Sequence, residues 1–218
     1  MTPAPAGPPP FVEVGPGVWV ALARAHRDAP PARWATAADH DDARRLPPRR
    51  RTDRLRARGL LRALLQDRFP AAAGAGIAYT PAGRPTLLGH PGLGISVSHV
   101  AEACAVGVAR GRAVGVDVQD PPPDVTDPMV HWCAPAHHEA LAALPPADRA
   151  REFTWMWTVK EACGKALGTG LAGPALTLDV PPGARAGTWG AYRWISLRQH
   201  SPIPLSCAFS STERGTPP

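Results

Sequence analysis

Val18, Val20 and Leu22 alternate with their neighbours just after the turn-forming Gly15-Pro16-Gly17, and a period of two predicts a strand. The period then changes. Between Arg51 and Gln66, Leu55, Leu61, Leu64 and Leu65 recur at the spacing of one helix face, with arginines on the other, and Pro70 stops the run. Gly59 lies inside this helix and weakens its propensity without breaking the pattern. Ile77-Ala78-Tyr79 and a turn over Pro81–Pro85 lead to three short apolar runs, Ile95–Ser98, Cys104–Ala109 and Val114–Val118, whose brief separators predict successive strands. Pro121-Pro122-Pro123 marks a boundary. Beyond it, helical segments are predicted over Pro128–Cys133, Pro135–Leu144 and Asp148–Leu167, the last closed by Gly168 and Gly170. Leu176–Val180, Tyr192–Leu197 and Leu205–Phe209 read as strands. Residues 1–10 and 210–218 carry no periodicity and read as flexible ends.

Composition narrows the class. At 218 residues, 44% hydrophobic and 19% charged, the chain is globular and long enough to bury a core. It has no apolar run near the roughly 18 residues of a membrane span, and the start MTPAPAGPPP lacks the basic and apolar regions of a signal peptide. Cys104, Cys133, Cys163 and Cys207 are widely spaced with no C-x-x-C pair, which predicts a reduced, cytoplasmic protein away from membranes.

Charge is unevenly placed. Residues 1–114 hold 16 arginines against 8 acids, a balance of +8, whereas residues 115–218 hold 6 arginines and 2 lysines against 10 acids, a balance of −2. The excess peaks over Arg44–Arg68, with ten arginines and two acids. Such a face predicts an anionic partner: nucleic acid, a phosphate-bearing cofactor or an acidic protein. A solvated helix face in an arginine-rich composition accounts for part of it. Lysine is the rarity. Of the 24 cationic side chains only Lys160 and Lys165 are lysines, and they share one six-residue stretch. A lysine is a compact point charge on a flexible stem where an arginine is a planar fork, so the pair singles out that stretch.

Three segments hold side chains suited to phosphate and metal chemistry. In Val114-Gly115-Val116-Asp117-Val118-Gln119, strand alternation puts Val116 and Val118 on one face and Asp117 and Gln119 on the other. Carboxylate and amide oxygens at the end of a buried strand suit Mg²⁺, which keeps waters and substrate phosphates as its other ligands. An Asp that merely begins a turn is an equal reading of this segment alone. In Phe153–Gly168, Glu161 and Lys165 are four apart and therefore neighbours on a helix surface. Phe153, Trp155, Met156 and Trp157 make the helix largely apolar, so its charges fall at the rim of a buried surface rather than forming an ordinary exposed pair. In Gly94–His99, Ser98 and His99 face opposite ways on a strand and do not form a nucleophile–base pair. A His at a strand end near an arginine-rich helix suits a phosphate contact or a structural hydrogen bond. His131, Cys133, His137 and His138 are zinc-type ligands at irregular spacing, and no zinc site is expected from them. There is no Walker A loop, no dinucleotide glycine fingerprint and no G-x-S-x-G elbow.

Taken in order, Gly83-Arg84-Pro85, Ser98-His99, Gly115-Val116-Asp117-Val118, Trp157-Thr158-Val159-Lys160-Glu161-Ala162-x-x-Lys165 and Gly168-Thr169-Gly170-Leu171 resemble the Sfp-type 4′-phosphopantetheinyl transferases. The helical motif is the specific one, and the resemblance spans Arg49 to Leu171. It implies an α+β fold of two pseudo-symmetric halves, each an antiparallel sheet packed with a long helix, with the active site in the cleft between them. Residues 1–114 would contact the 3′-phosphate and adenine of coenzyme A, and residues 115–218 would carry the metal and the transfer chemistry. The implied reaction passes the 4′-phosphopantetheine arm of coenzyme A to a serine of an acidic apo acyl or peptidyl carrier protein and releases 3′,5′-ADP. The implied cofactor is Mg²⁺, held by Asp117 and Glu161 with Gln119 beside them, and Glu161 is also the base for the carrier serine. Lys165 would meet the phosphate next to the adenosine and Lys160 would orient the acidic site. Arg84, Ser98, His99 and an arginine of the Arg49–Arg54 run, such as Arg54, would bind the adenine and 3′-phosphate end. Two intact halves in one chain imply a monomer.

The chain departs from the pattern at Gln119, where many members of that family carry a second acid. An amide oxygen binds Mg²⁺ less strongly, and Asp120 faces the opposite side of the strand. His137 likewise falls near where an acid is common. A non-catalytic binder of coenzyme A or carrier protein is therefore one alternative. A nucleic-acid-binding module is the other, but it calls for aromatics among the basic residues. Arg44–Arg68 holds none, so no nucleic-acid partner is expected.

Overall fold

The computed structural model describes residues 10–24, 31–170 and 173–212. Most of the two ends expected to be flexible (1–9 and 213–218), and Leu171 of the last motif, lie outside the described residues. Strands β1 (Phe11–Gly15), β2 (Val18–Arg24), β3 (Ile77–Tyr79), β4 (Pro85–Leu87), β5 (Leu93–Val100) and β6 (Ala103–Arg110) form a six-stranded antiparallel sheet in the order β1-β2-β6-β5-β4-β3. Strands β7 (Val114–Val118), β8 (Ala186–Trp189), β9 (Tyr192–Ser196) and β10 (Leu205–Ser210) form a four-stranded antiparallel sheet in the order β7-β10-β9-β8. Two long helices, α2 (Pro48–Arg68) and α5 (Pro146–Leu167), pack on them, with short helices α1 (Ala37–Ala43), α3 (Asp127–Cys133) and α4 (His138–Ala142) alongside. This is the α+β class that the resemblance implied.

The alternation of β2 and β6 explains the layering. Ala21 and Ala23 on β2, with Cys104, Val106 and Val108 on β6, meet Leu60, Leu61, Leu64 and Leu65 of α2. Val18 and Val20, with Ala105 and Ala109, point the other way against Val114, Val116 and Val118 of β7 and Leu205, Cys207 and Phe209 of β10. On the far side of the second sheet, Trp194 and Ala208 pack with Phe153, Met156 and Val159 of α5. The order is helix, sheet, sheet, helix. A strand covered on both faces needs apolar residues at every position, which is why β6 reads as an almost continuous apolar run. Gly107 permits the close approach of the sheets, since a Cβ there would lie 2.6 Å from Cγ1 of Val116.

Several expectations needed correction. Leu176–Val180 is not a strand: Pro174–Thr177 is a 3-10 turn, and Leu178 and Val180 are buried and pair with no strand among the described residues, so alternation there reports burial and not pairing. Pro135–Leu144 divides into a 3-10 turn (Pro135–His137) and α4. Ser210, expected in the flexible tail, ends β10, and its amide donates to the carbonyl of Ala113. The arginines of α2 are not all on a solvent face. Arg58 and Arg62 are only 3% and 4% exposed. Arg62 forks onto Asp39 of α1 (2.9 and 3.0 Å) and donates to the carbonyls of Ala73 and Ala75. Among the described residues no helix is long and apolar enough to cross a membrane.

Candidate active site

Gly115 brings β7 onto α5. A Cβ at that position would lie 2.0 Å from the Ala162 carbonyl oxygen and 2.5 Å from the Ala166 amide, so any side chain would force strand and helix apart. Two residues on, Asp117 reaches the same helix, and Lys165 Nζ donates to its Oδ1 at 2.6 Å. Ser98 Oγ of β5 donates to that oxygen at 2.8 Å and accepts from the Val118 amide at 3.3 Å. Ser96 Oγ accepts from the Val116 amide at 3.0 Å. Two alternate serines of β5 thus satisfy backbone donors on the edge of β7 that faces the first sheet.

The electrostatics of this cluster are short of positive charge. Asp117 is 5% exposed, and its Oδ2 is buried with no hydrogen-bond partner among the described residues. Burial pushes its carboxyl above the ordinary value, although Lys165 and Ser98 pull it down. Glu161, one turn before Lys165, is also pushed up, first by burial and then by the Asp117 charge, against Lys165. One ammonium therefore serves two carboxyls that resist ionisation. A bare buried carboxylate oxygen beside a second carboxylate fits a hard divalent cation such as Mg²⁺, which binds through one or two carboxylates and takes phosphates and waters as its remaining ligands. Among the described residues no three His, Cys, Asp or Glu side chains converge as a metal site, so the chain offers this acidic pair and not a closed protein cage. Gln119 is exposed, and it lines one pocket with Glu161, Met129, Trp132 and Trp157.

A groove leads away from the acidic pair. Lys165, Arg84, Ser96, Gly168 and Gly170 line its near end, and Gly83, Pro85, Ile95 and Val97 continue it. Arg54, Arg58, Tyr79 and His99 line its far end. There the Tyr79 hydroxyl accepts from Arg54 Nη1 at 2.7 Å and from Arg58 Nη2 at 3.0 Å. Arg58 Nη1 is buried with no hydrogen-bond partner among the described residues, 3.9 Å from Asp39 Oδ1. Gly164 lets the loop after α5 fold back to form the groove wall, because a Cβ there would lie 2.4 Å from the Gly170 carbonyl oxygen.

The structure therefore brings Asp117, Lys165 and Ser98 into contact, with Glu161 and Gln119 beside them. It sets Arg84 along the groove, and it groups His99 with Arg54 at the far end. Ser98 turns to Asp117 and away from its neighbour His99, as strand alternation requires. Lys160 turns away from the acidic pair, and its Nζ donates to the Leu176 carbonyl at 2.6 Å. His137 pairs with Asp179 at 2.6 Å, and Cys133 is in the core, where burial pushes its thiol up to about 11. Sequence reasoning missed Arg58, Tyr79 and Ser96. Arg58 was hidden in a run of ten arginines, whereas Ser96 was legible as the same-face neighbour of Ser98.

Residues 113–196 match the model of the 4′-phosphopantetheinyl transferase superfamily. The chain is 33% identical over 109 residues to an L-aminoadipate-semialdehyde dehydrogenase-phosphopantetheinyl transferase of Eremothecium gossypii, which covers 47% of this chain and 40% of that protein. It is 30% identical over 121 residues to the 4′-phosphopantetheinyl transferase HetI of a Nostoc species, covering 53% of this chain and 51% of the relative. The chain thus spans about half the length, or less, of the curated relatives it matches.

Proposed function

We propose that the protein transfers the 4′-phosphopantetheine arm of coenzyme A to a serine of an apo acyl or peptidyl carrier protein, with Mg²⁺, and releases 3′,5′-ADP. The observation that carries this reading is the buried Asp117, held by Lys165 on one oxygen and bare on the other, at the end of a groove lined with cationic side chains. Coenzyme A lies along the groove, with its adenine and 3′-phosphate toward Arg54, Arg58 and His99 and its pyrophosphate toward Arg84 and Lys165. Residues 1–114 supply most of the nucleotide groove, and residues 115–218 the acidic pair.

Asp117 and Glu161 would hold Mg²⁺, with Gln119 turned toward the same pocket. When bound, the ion neutralises pyrophosphate charge. The serine oxygen of the carrier forms a bond to the β-phosphorus, and the bond from that phosphorus to the bridging oxygen breaks. Glu161 takes the serine proton as the new bond forms. Lys165 neutralises the charge that gathers on the departing 3′,5′-ADP. Ser98 fixes the rotamer of Asp117, a positioning role in place of the nucleotide contact expected from sequence. Catalysis of this kind is mostly orientation and charge stabilisation. The exposed Arg49, Arg50 and Arg51 at the start of α2 give an acidic carrier a complementary surface. A cytoplasmic monomer completes the proposal.

The deciding experiment is one incubation with coenzyme A, Mg²⁺ and apo carrier proteins of several types, read by intact mass. Addition of phosphopantetheine supports the proposal. No addition on any carrier, with coenzyme A still bound, leaves a non-catalytic binder. Two substitutions sharpen the assignment. Lys165→Arg puts a planar fork where a single ammonium makes a short contact, so kcat is expected to fall about 100-fold with coenzyme A affinity nearly kept; an unchanged rate would reduce the lysine to a spectator. Gln119→Glu adds a carboxylate to the pocket and is expected to lower the Mg²⁺ concentration for half-maximal activity. An unshifted titration would remove Gln119 from the metal's surroundings.

A further inference from the structure

Lys160 belongs to the most specific motif of the chain, yet it reaches neither the acidic pair nor the groove. It is 3% exposed, and its ammonium donates to the Leu176 carbonyl at 2.6 Å. Burial pulls its pKa down, against the neighbouring Cys133 and Asp179, so keeping a charge there is costly. Leu176 sits in the 3-10 turn Pro174–Thr177, the returning limb of the loop that leaves α5 at Gly168. The outgoing limb is held separately: the Thr169 amide donates to the Gly164 carbonyl at 3.1 Å, and the Gly170 carbonyl packs against Gly164. The two limbs meet at Thr169 and Gly173, where a Cβ on Gly173 would lie 2.0 Å from Thr169 Oγ1. Gly168 and Gly170 in turn line the groove opposite Arg84 and Lys165.

We infer that Lys160 is a positioning residue for the nucleotide groove: by fixing the Leu176 carbonyl it holds the returning limb against Thr169 and so sets the wall at Gly168 and Gly170. It acts on neither the metal nor a phosphate, which departs from the orienting role at the acidic site that the motif implied. A lysine suits the place because a slender stem can carry a point charge through a packed interior, where a planar guanidinium needs more room. The inference rests on the coenzyme A reading of the groove.

Lys160→Met keeps the stem and removes the donor. In this variant the dissociation constant for coenzyme A, measured by calorimetry, and the KM for coenzyme A are each expected to rise about tenfold. The kcat and the Mg²⁺ half-saturation should each change less than about threefold, and amides at 176–179 should exchange faster with deuterium. Unchanged coenzyme A affinity, or a Mg²⁺ shift larger than the coenzyme A shift, overturns the inference. Should Lys160→Met fail to fold, Gly173→Ala displaces Thr169 from the other side of the contact. It is expected to weaken coenzyme A to a similar degree, and unaltered affinity in that variant overturns the inference. Wild-type protein that binds no coenzyme A removes the coenzyme A reading itself; wild-type binding with unaltered variants removes only the role of Lys160.

Discussion

Asp117→Asn is expected to lower turnover about 1000-fold, the scale of losing a central electrostatic group, while the protein stays at least as stable as wild type. Asparagine has nearly the same shape and keeps an oxygen for the Ser98 hydroxyl, so the serine contact at 2.8 Å survives. What goes is the negative charge opposite Lys165 and the anionic oxygen offered to a cation. The stability direction follows from the raised carboxyl. Its folded-state pKa lies above the ordinary 3.8, so ionisation is less favourable in the folded protein than in the unfolded chain. The resulting penalty is absent well below pH 3.8 and fully present above the raised value, and asparagine removes it at neutral pH. Lys165 loses its partner but is 29% exposed and can be solvated. Steady-state kinetics beside a thermal melt at pH 7 reads both effects. Less than a tenfold loss of turnover would take Asp117 out of the chemistry, and an unfolded variant would make its role structural.

Asp39→Ala is expected to cost about 3–5 kcal/mol in denaturant unfolding, the range for removing one partner of a buried ion pair. Asp39 is 2% exposed and accepts two hydrogen bonds from Arg62, with Arg58 at 3.9 Å, so its loss strands buried positive charge under the first sheet. It also closes the capping box with Thr36 that starts α1, which is lost too. Burial pushes the Asp39 carboxyl up, but hydrogen bonds from Arg62 and from Thr36 outweigh it and leave the group below its ordinary 3.8. A lowered folded-state pKa contributes stability that is present above 3.8 and is lost as pH falls through the lower folded value. The gap between wild type and Asp39→Ala should therefore be widest near neutral pH and narrow in acid below that value. A gap that does not narrow in acid would assign the loss to packing and not to charge.

How much of this was legible beforehand depended on whether the signal was local. Val114–Val118 matches β7 residue for residue, and Gly168 caps α5 at φ +92, because alternation and a left-handed glycine are written in adjacent residues. The edge strands β1 and β8 escaped notice, since half-exposed four- and five-residue strands carry little pattern. The α1 helix went unread, although Thr36 and Asp39, three residues apart, form its capping box. Of the site, the face shared by Asp117 and Gln119 and the helical neighbours Glu161 and Lys165 could be read from period alone. The partner of Ser98 could not.

By itself the sequence determined the periods, and with them the two long helices and the core strands, and it held a motif that resembles one family's. It also determined which positions carry oxygen ligands and which carry the two lysines. The tertiary structure decided what each polar group meets. Ser98 reaches Asp117 across 19 residues, Arg62 reaches Asp39 across 23 and Lys165 reaches Asp117 across 48, and the two lysines of α5 part company, one to the acidic pair and one to a loop carbonyl. Periodicity fixes the face a residue occupies, because that depends on its own backbone. It does not choose what lies opposite, because that depends on how glycines such as Gly107 and Gly115 let separate elements approach.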